Sequence, residues 1–148
     1  MVLMTRPYDI TGYRITDHQV DVPVDWQNPE RFGSISVFVR EVVKLSRIDD
    51  GLPPLIFLQG GPGGASPRPP HNTWIEKATD HYRVLLLDQR GTGRSTPITG
   101  RFITDFTAAH GGGVAGTKAA ADYVACFRAD AIADDVAILC TLPASRRP

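Results

Sequence analysis

The 148-residue sequence has few of the features that tie a chain to a membrane or a nucleic acid. No apolar run approaches the ~20 residues that a transmembrane helix requires. The first residues, 1–6, lack the apolar stretch of about 7–15 residues that marks a signal peptide. The 16 basic residues balance the 16 acidic residues, so no excess of positive charge favours nucleic acid. These absences predict a cytoplasmic chain without membrane or nucleic-acid partners.

Cysteine is scarce as well, and the motifs for nucleotide cofactors are incomplete. Cys126 and Cys140 are the two cysteines, and the sequence lacks a C-x-x-C pair, which argues against a zinc site or a disulfide framework and favours two buried free thiols. The segment 91–96 lacks the third glycine of a dinucleotide fingerprint. The segment 111–118 carries Thr117 where a P-loop needs its lysine. We therefore expect no cofactor and no metal.

The first half of the chain alternates apolar and polar residues as a half-buried β-sheet does. Apolar residues recur largely at every second position over 12–44, and the polar segment 28–33 interrupts them with the composition of a turn. This pattern predicts an antiparallel hairpin with one buried face. With 148 residues and 42% apolar content, the chain has the size and composition of one globular domain.

The segment 54–97 has a different pattern, typical of a parallel sheet. Its apolar runs Leu55–Leu58 and Tyr82–Leu87 are continuous, as in strands that are buried on both faces. The residues 73–80 between them fit a short crossover helix. Beyond this segment, 97–116 is rich in glycine and reads as irregular, and an apolar stripe over 117–139 predicts one helix. The fold class is therefore α/β.

A glycine-proline loop follows the first of these buried strands. The sequence Gln59–Gly64 places four glycines around Pro62, so its backbone can turn sharply and expose N–H groups without obstruction from Cβ atoms. Such a loop at the carboxyl end of a buried strand commonly forms an anion pocket or an oxyanion hole.

A second polar turn, 88–97, follows the next buried strand. Because functional loops gather beyond the carboxyl ends of parallel strands, we expect both loops to face the same crevice. Asp88 and Arg90 are predicted to pair and brace this loop, and Arg94 to donate to neighbouring carbonyls. The alternative is that these three charges only support the scaffold.

The two loops together resemble the proline iminopeptidase family, in particular its larger bacterial branch. The resemblance lies in Phe57–Gly64, in the following Ser66-Pro-Arg-Pro, and in His81–Pro97, and it extends over about 12–138. It implies an α/β-hydrolase fold and a serine peptidase that releases N-terminal proline from peptides. The backbone N–H groups of Gly61 and Gly60 match the oxyanion donors of that family. The segment 123–132 resembles the helix before the nucleophile strand.

The family's nucleophile elbow is missing from these residues. No G-x-S-x-G motif occurs in the sequence, and the family's catalytic serine, aspartate and histidine have no counterparts here. The segment 140–148 does not resemble the expected strand. We therefore expect the amino-terminal portion of an α/β-hydrolase domain, truncated before the elbow and inactive alone. A non-catalytic binding fragment, or an α/β-hydrolase acting on esters or other amides, remains as an alternative.

Several other residues could be mistaken for catalytic groups. The string 110–113 reads His-Gly-Gly-Gly, an oxyanion motif of other esterases, but no apolar strand precedes it. Ser66 and Ser95 lack the tight turn that exposes a nucleophile, so both are predicted to be hydrogen-bonding residues of the loops. Three isolated histidines are predicted to have surface or loop roles: His18, His71 and His81.

Overall fold

The computed structural model describes residues 1–60, 63–68 and 73–144, which form a mixed β-sheet with helices on both faces. The strands are β1 (Val2–Met4), β2 (Tyr8–Ile10), β3 (Tyr13–Pro23), β4 (Ser34–Lys44), β5 (Pro54–Leu58) and β6 (Arg83–Asp88). The helices are α1 (Thr73–Ala78), α2 (Gly100–Ala109), α3 (Gly113–Ala125) and α4 (Ala129–Leu139).

The sheet has the strand order β1-β3-β4-β6-β5, with β2 also paired to β3. All pairs are antiparallel except β5 with β6, which is parallel. The long β3–β4 hairpin is in register from Tyr13 opposite Lys44 to Pro23 opposite Ser34. The predicted fold class, a hairpin leading into a parallel sheet with flanking helices, is confirmed.

Alternation along the strands divides the core between the two faces of the sheet. One face is covered by α2, α3 and α4, and the buried residues of the sheet side there are Val20, Val22, Val24 (just after β3), Ile35, Val37, Val39, Leu85 and Leu87. The other face is covered by α1, whose Ile75 packs with Ile15, Val42, Val84 and Leu86. Because β6 contributes to both cores, all six of its residues are buried, as a continuous apolar run predicts.

The strand β5 lies at one edge of the sheet. It pairs with β6 on one side, and no other strand of the described residues pairs with its outer side. Leu58, its last residue, is 48% exposed. The outer backbone N–H and C=O groups of β5 are therefore available to another strand.

The structure corrects the sequence prediction for the region after residue 97. The segment predicted to be irregular contains α2 and the start of α3. The Thr99 hydroxyl accepts a hydrogen bond from the Phe102 N–H and caps α2 at its first turn. The string 110–113 joins α2 to α3 and follows a helix rather than a strand, which fits a connecting role.

The single helix predicted over 117–139 is also wrong, because α3 ends at Ala125 and α4 begins at Ala129. Neither proline nor glycine causes this break. Instead, Arg90 donates from Nη1 to the carbonyl oxygen of Cys126 at 2.7 Å. That oxygen is thereby bound by a side chain from the loop after β6, and the chain turns into a second helix.

The structure contradicts the predicted surface role of His18 and the predicted burial of both cysteines. His18 is fully buried, and its Nε2 lies 3.0 Å from Glu41 Oε2 on the neighbouring strand. His81 is exposed as predicted, and His71 lies outside the described residues.

Both cysteines are free, as expected, but Cys126 is half-buried and Cys140 is exposed. No helix within the described ranges has the length and apolar content needed to cross a membrane.

Candidate functional site

The site begins at Asp88, the last residue of β6, whose buried carboxylate joins the two predicted loops. Its Oδ1 accepts a hydrogen bond from the Ser66 N–H at 2.7 Å, and its Oδ2 accepts one from the Arg94 N–H at 2.9 Å. Ser66 belongs to the loop after β5, and Arg94 to the loop after β6. One side chain, 4% exposed, therefore fixes both loops by their backbones.

Both loop serines add to this link. The Ser66 hydroxyl donates to the Leu87 carbonyl at 2.5 Å. The Ser95 hydroxyl donates to the Asp88 carbonyl and accepts from the Phe38 N–H at 2.9 Å. Because both hydroxyls are used in backbone hydrogen bonds, the prediction that they are hydrogen-bonding residues of the loops is confirmed.

The loops also meet directly at the carboxyl ends of β5 and β6. Gln89 donates from Nε2 to the Gln59 carbonyl at 3.1 Å. Beside this contact lies a cavity of about 340 Å³ whose strand-side lining is Leu58, Gln59, Gly60 and Gln89. Its other wall is the first part of α4, with Ala129, Ile132 and Ala133. Of the two predicted N–H donors, Gly60 lines this cavity, and Gly61 lies outside the described residues.

The predicted pair between Arg90 and Asp88 does not form. Its Nε and Nη2 donate to the two carboxylate oxygens of Asp135 on α4, at 2.8 and 2.6 Å. Its remaining N–H groups reach the carbonyls of Pro23, Val24 and Cys126. The oxygens of Asp88 are already occupied by backbone N–H groups, so Arg90 supports the site by attaching α4 and the end of β3 to the loop.

Arg94 reaches a carboxylate rather than the carbonyls that were predicted. Its Nη1 lies 3.2 Å from Asp17 Oδ2, and its guanidinium is 5.1 Å from the centre of the Phe38 ring. Asp17 is shared with Arg40, whose Nε and Nη2 donate to it at 2.7 and 2.8 Å. These hydrogen bonds raise the pKa of Arg40. The three predicted bracing residues therefore act with different partners.

Sequence reasoning missed Asp135, Asp17 and Arg40. A signal for Asp135 was present, because it stands four residues from both Ala131 and Leu139 on the buried stripe of α4. A carboxylate on an apolar stripe needs a buried cation, and Arg90 supplies it. The pairing of Asp17 with Arg40 follows from the β3–β4 register, in which the two residues are directly opposite.

The comparison with known proteins decides the family. A sequence profile described as "alpha/beta hydrolase fold" matches residues 53–141, which include both loops and β5, β6 and α4. The chain belongs to this family. The two loops, the parallel strand pair and the segment 123–132 all fall inside the matched segment.

Curated relatives confirm the resemblance to proline iminopeptidases. The chain is 42% identical over 133 residues to a proline iminopeptidase from Aeromonas sobria, covering 89% of this chain and 29% of the relative. It is 36% identical over 124 residues to the proline iminopeptidase aneH from Aspergillus aculeatus, covering 82% of this chain and 26% of that protein. A third, from Arabidopsis thaliana, is 38% identical over 71 residues, 46% of this chain and 18% of its own length. The chain thus spans less than a third of the length of these relatives.

Proposed function

We propose that this chain supplies the oxyanion side of a serine aminopeptidase that releases N-terminal proline from peptides. The observation that carries the proposal is the Asp88 carboxylate, which holds the glycine loop after β5 against the loop after β6 through the N–H groups of Ser66 and Arg94. The names of the relatives give the substrate class. Peptides with N-terminal proline are the expected partners, and cytoplasmic location and the absence of nucleic-acid partners stay predictions.

The glycine loop would act on charge that develops during peptide cleavage. When a nucleophile attacks the carbonyl carbon of the N-terminal proline, the carbonyl oxygen becomes negative. The N–H groups of Gly61 and Gly60 are proposed to donate to that oxygen. Donors held in place before the reaction do not have to reorganise, and losing one of them costs on the order of 3 kcal/mol in the barrier. The Asp88 link and the Gln89–Gln59 contact would keep the loop fixed.

These 148 residues lack the G-x-S-x-G motif that would carry the nucleophile. We therefore propose that this polypeptide alone does not turn over substrate, since losing triad members leaves only weak residual catalysis. Purified chain should not hydrolyse proline p-nitroanilide above the buffer rate. Labelling of Ser66 or Ser95 by a fluorophosphonate probe would contradict this, because both hydroxyls are committed to backbone contacts.

The oxyanion role can be tested in a hybrid protein that contains the missing catalytic groups. Residues 12–138 replace the matching segment of the Aeromonas sobria relative, and hydrolysis of proline p-nitroanilide is measured. In this hybrid, Gly61→Val should lower kcat by about 100-fold, which corresponds to the loss of one oxyanion donor. Gly100→Ala is the control, because a Cβ at Gly100 meets no atom within 4 Å.

The outcomes of this experiment separate the candidate functions. A hybrid that cleaves proline p-nitroanilide supports the aminopeptidase, and unchanged kcat in Gly61→Val would remove the oxyanion assignment. Hydrolysis of p-nitrophenyl esters without cleavage of the anilide would instead favour an esterase, since one fold hosts many substrates. A folded hybrid that is inactive on both would favour a binding role.

A further inference from the structure

A second cavity lies on the face of the sheet that is covered by α1. It has a volume of about 240 Å³ and is enclosed by β4, β6, the loop 63–68 and the loop after β6. Three arginines line it, one from each of three segments: Arg40 from β4, Arg68 from the first loop and Arg94 from the second. The rest of the lining is mostly apolar, and its apolar members are Phe38, Ala65, Pro67 and Leu86.

The positive charge around this cavity is not balanced by its carboxylates. The two oxygens of Asp88 accept backbone N–H groups, so this carboxylate is not bonded to a guanidinium of the cavity. Asp17 lies next to the cavity and is shared by Arg40 and Arg94. Arg68 is exposed and has no hydrogen bond or ion pair with another residue of the part that the structure describes. The three arginines at 40, 68 and 94 therefore outnumber the two aspartates at 17 and 88, which leaves one net positive charge at the cavity.

Arg94 and Arg68 retain donors for a ligand. A guanidinium has five N–H donors, and Arg94 uses one of its side-chain donors, on Nη1, for Asp17. Its side chain is 50% exposed. Arg40 is held rigidly, because both of its bonds to Asp17 are short and its ring contact with Phe38 restricts it further. One fixed cation and two accessible cations therefore surround a small apolar floor.

We propose that this cavity binds a small monocarboxylate with an apolar body. The fork of a guanidinium matches the two oxygens of a carboxylate in one plane. The apolar floor of Phe38 and Leu86 would cover the body of the ligand. A single net positive charge fits a monoanion better than a phosphate dianion. The ligand class includes the carboxyl terminus of a peptide and a free branched organic acid.

This site is separate from the proposed oxyanion cavity and does not depend on the proposed function. Among the residues that the structure describes, the two cavities share no lining residue. Ser66 and Asp88, which are hydrogen-bonded to each other, both line the carboxylate cavity. Binding can therefore be measured without any catalytic activity.

The test is a titration of the full 148-residue chain with N-acetyl-leucine and, separately, with N-acetyl-leucinamide, followed by calorimetry and by the NMR signals of the arginine Nε–H groups. The two probes share a body and differ in the carboxylate. The acid should bind at least tenfold more tightly than the amide, because hydrogen bonds to a charged group contribute that much or more. Equal affinities, or no binding of the acid, would overturn the proposal.

Three variants locate the site. Arg68→Gln and Arg94→Gln should each weaken binding of the acid about tenfold, and Arg101→Gln should leave it unchanged, because Arg101 is 92% exposed on α2 and does not line the cavity. Arg68→Gln is decisive if Arg94→Gln loosens the fold, since Arg68 is exposed. Acid binding that survives Arg68→Gln unchanged would overturn the proposal.

Isovalerate distinguishes the two ligand sources. Binding of N-acetyl-leucine that is tighter than binding of isovalerate supports a peptide carboxyl terminus, because the acetamide then adds contacts. Equal binding of both supports a free organic acid. The same titrations in the hybrid protein with the Aeromonas sobria relative should give the same order of affinities for the probes and variants, and a different order there would contradict the assignment.

Discussion

Arg90 and Asp135 form an ion pair in which both side chains are excluded from solvent, with exposures of 0% and 1%. The guanidinium meets both carboxylate oxygens, and the indole Nε1–H of Trp26 donates to Oδ1 of the same carboxylate at 3.0 Å. The pair connects the loop after β6 to α4, and Trp26 connects α4 to the segment that follows β3. Three segments that are distant in sequence thus share one buried carboxylate.

We expect Asp135→Asn to destabilise the fold strongly. The substitution leaves the buried guanidinium of Arg90 without its counter-charge, and breaking one side of a buried ion pair costs about 3–5 kcal/mol. Urea unfolding followed by circular dichroism measures the change in free energy of unfolding. Asp134→Asn is the matched control, because Asp134 is exposed on the same helix. A loss below about 1 kcal/mol, the scale of an exposed ion pair, would mean that the pair contributes little.

Gly93→Ala should separate the two loops of the site. Gly93 has a positive φ of 53°, and a Cβ there would lie 2.5 Å from Asp88 Cγ. An L-residue in this left-handed region costs roughly 1–2 kcal/mol, and the clash with Asp88 adds to that cost. We expect faster exchange of the Ser66 and Arg94 amide hydrogens in addition to lower stability. Gly100→Ala, which meets no atom and lies at the start of α2, should neither lower stability nor speed this exchange, and a similar loss in the two variants would argue against the Asp88 link.

The two cysteines should differ in their reaction with iodoacetamide. Burial raises the pKa of the half-buried Cys126 thiol, and the nearby carboxylate of Asp25 raises that pKa further. A raised pKa leaves less reactive thiolate at a given pH. Cys140 is exposed, so it should be alkylated first at pH 8. Peptide mapping by mass spectrometry measures both rates, and faster labelling of Cys126 would contradict the burial seen here.

The outer edge of β5 should make the 148-residue chain self-associate. The strand ends in Leu58, which is 48% exposed, and none of the residues in 54–58 carries a charge that would discourage pairing with another strand. Leu58→Lys should reduce the association measured by light scattering, because a lysine at an exposed edge opposes strand pairing. Val114→Lys, at a residue that is 90% exposed on α3, is the control. A monodisperse unsubstituted chain with a cooperative thermal transition would show that this edge is harmless.

The sheet could be predicted from the sequence because its signals are local. The alternation of apolar and polar residues predicted the β3–β4 hairpin, and the two continuous apolar runs predicted β5 and β6. The glycine-rich segment over α2 concealed a helix whose cap, Thr99, was a readable signal. The division between α3 and α4 was not readable, because it depends on Arg90 reaching the Cys126 carbonyl from another part of the chain.

The candidate site was predictable in its position but only in part in its contacts. Functional loops gather beyond the carboxyl ends of parallel strands, which predicted that the two glycine loops lie together. The Gln89–Gln59 hydrogen bond confirms that they meet. The partners of the charged residues were not predictable, because each depends on register or helix packing. The same holds for His18, whose polar neighbours in sequence suggested exposure while Glu41, its partner, stands on the next strand.

The Asp88 link binds backbone N–H groups, and every residue except proline has one. The side chain at 94 can therefore be exchanged while the carboxylate continues to hold both loops, whereas the Ser66 hydroxyl adds its own hydrogen bond to the Leu87 carbonyl. This separates the residues that fix the geometry of the loops from the residues that face a ligand. Substitutions at 94 can then alter recognition over evolutionary time, or in a designed library, without each change having to restore the shape of the loops.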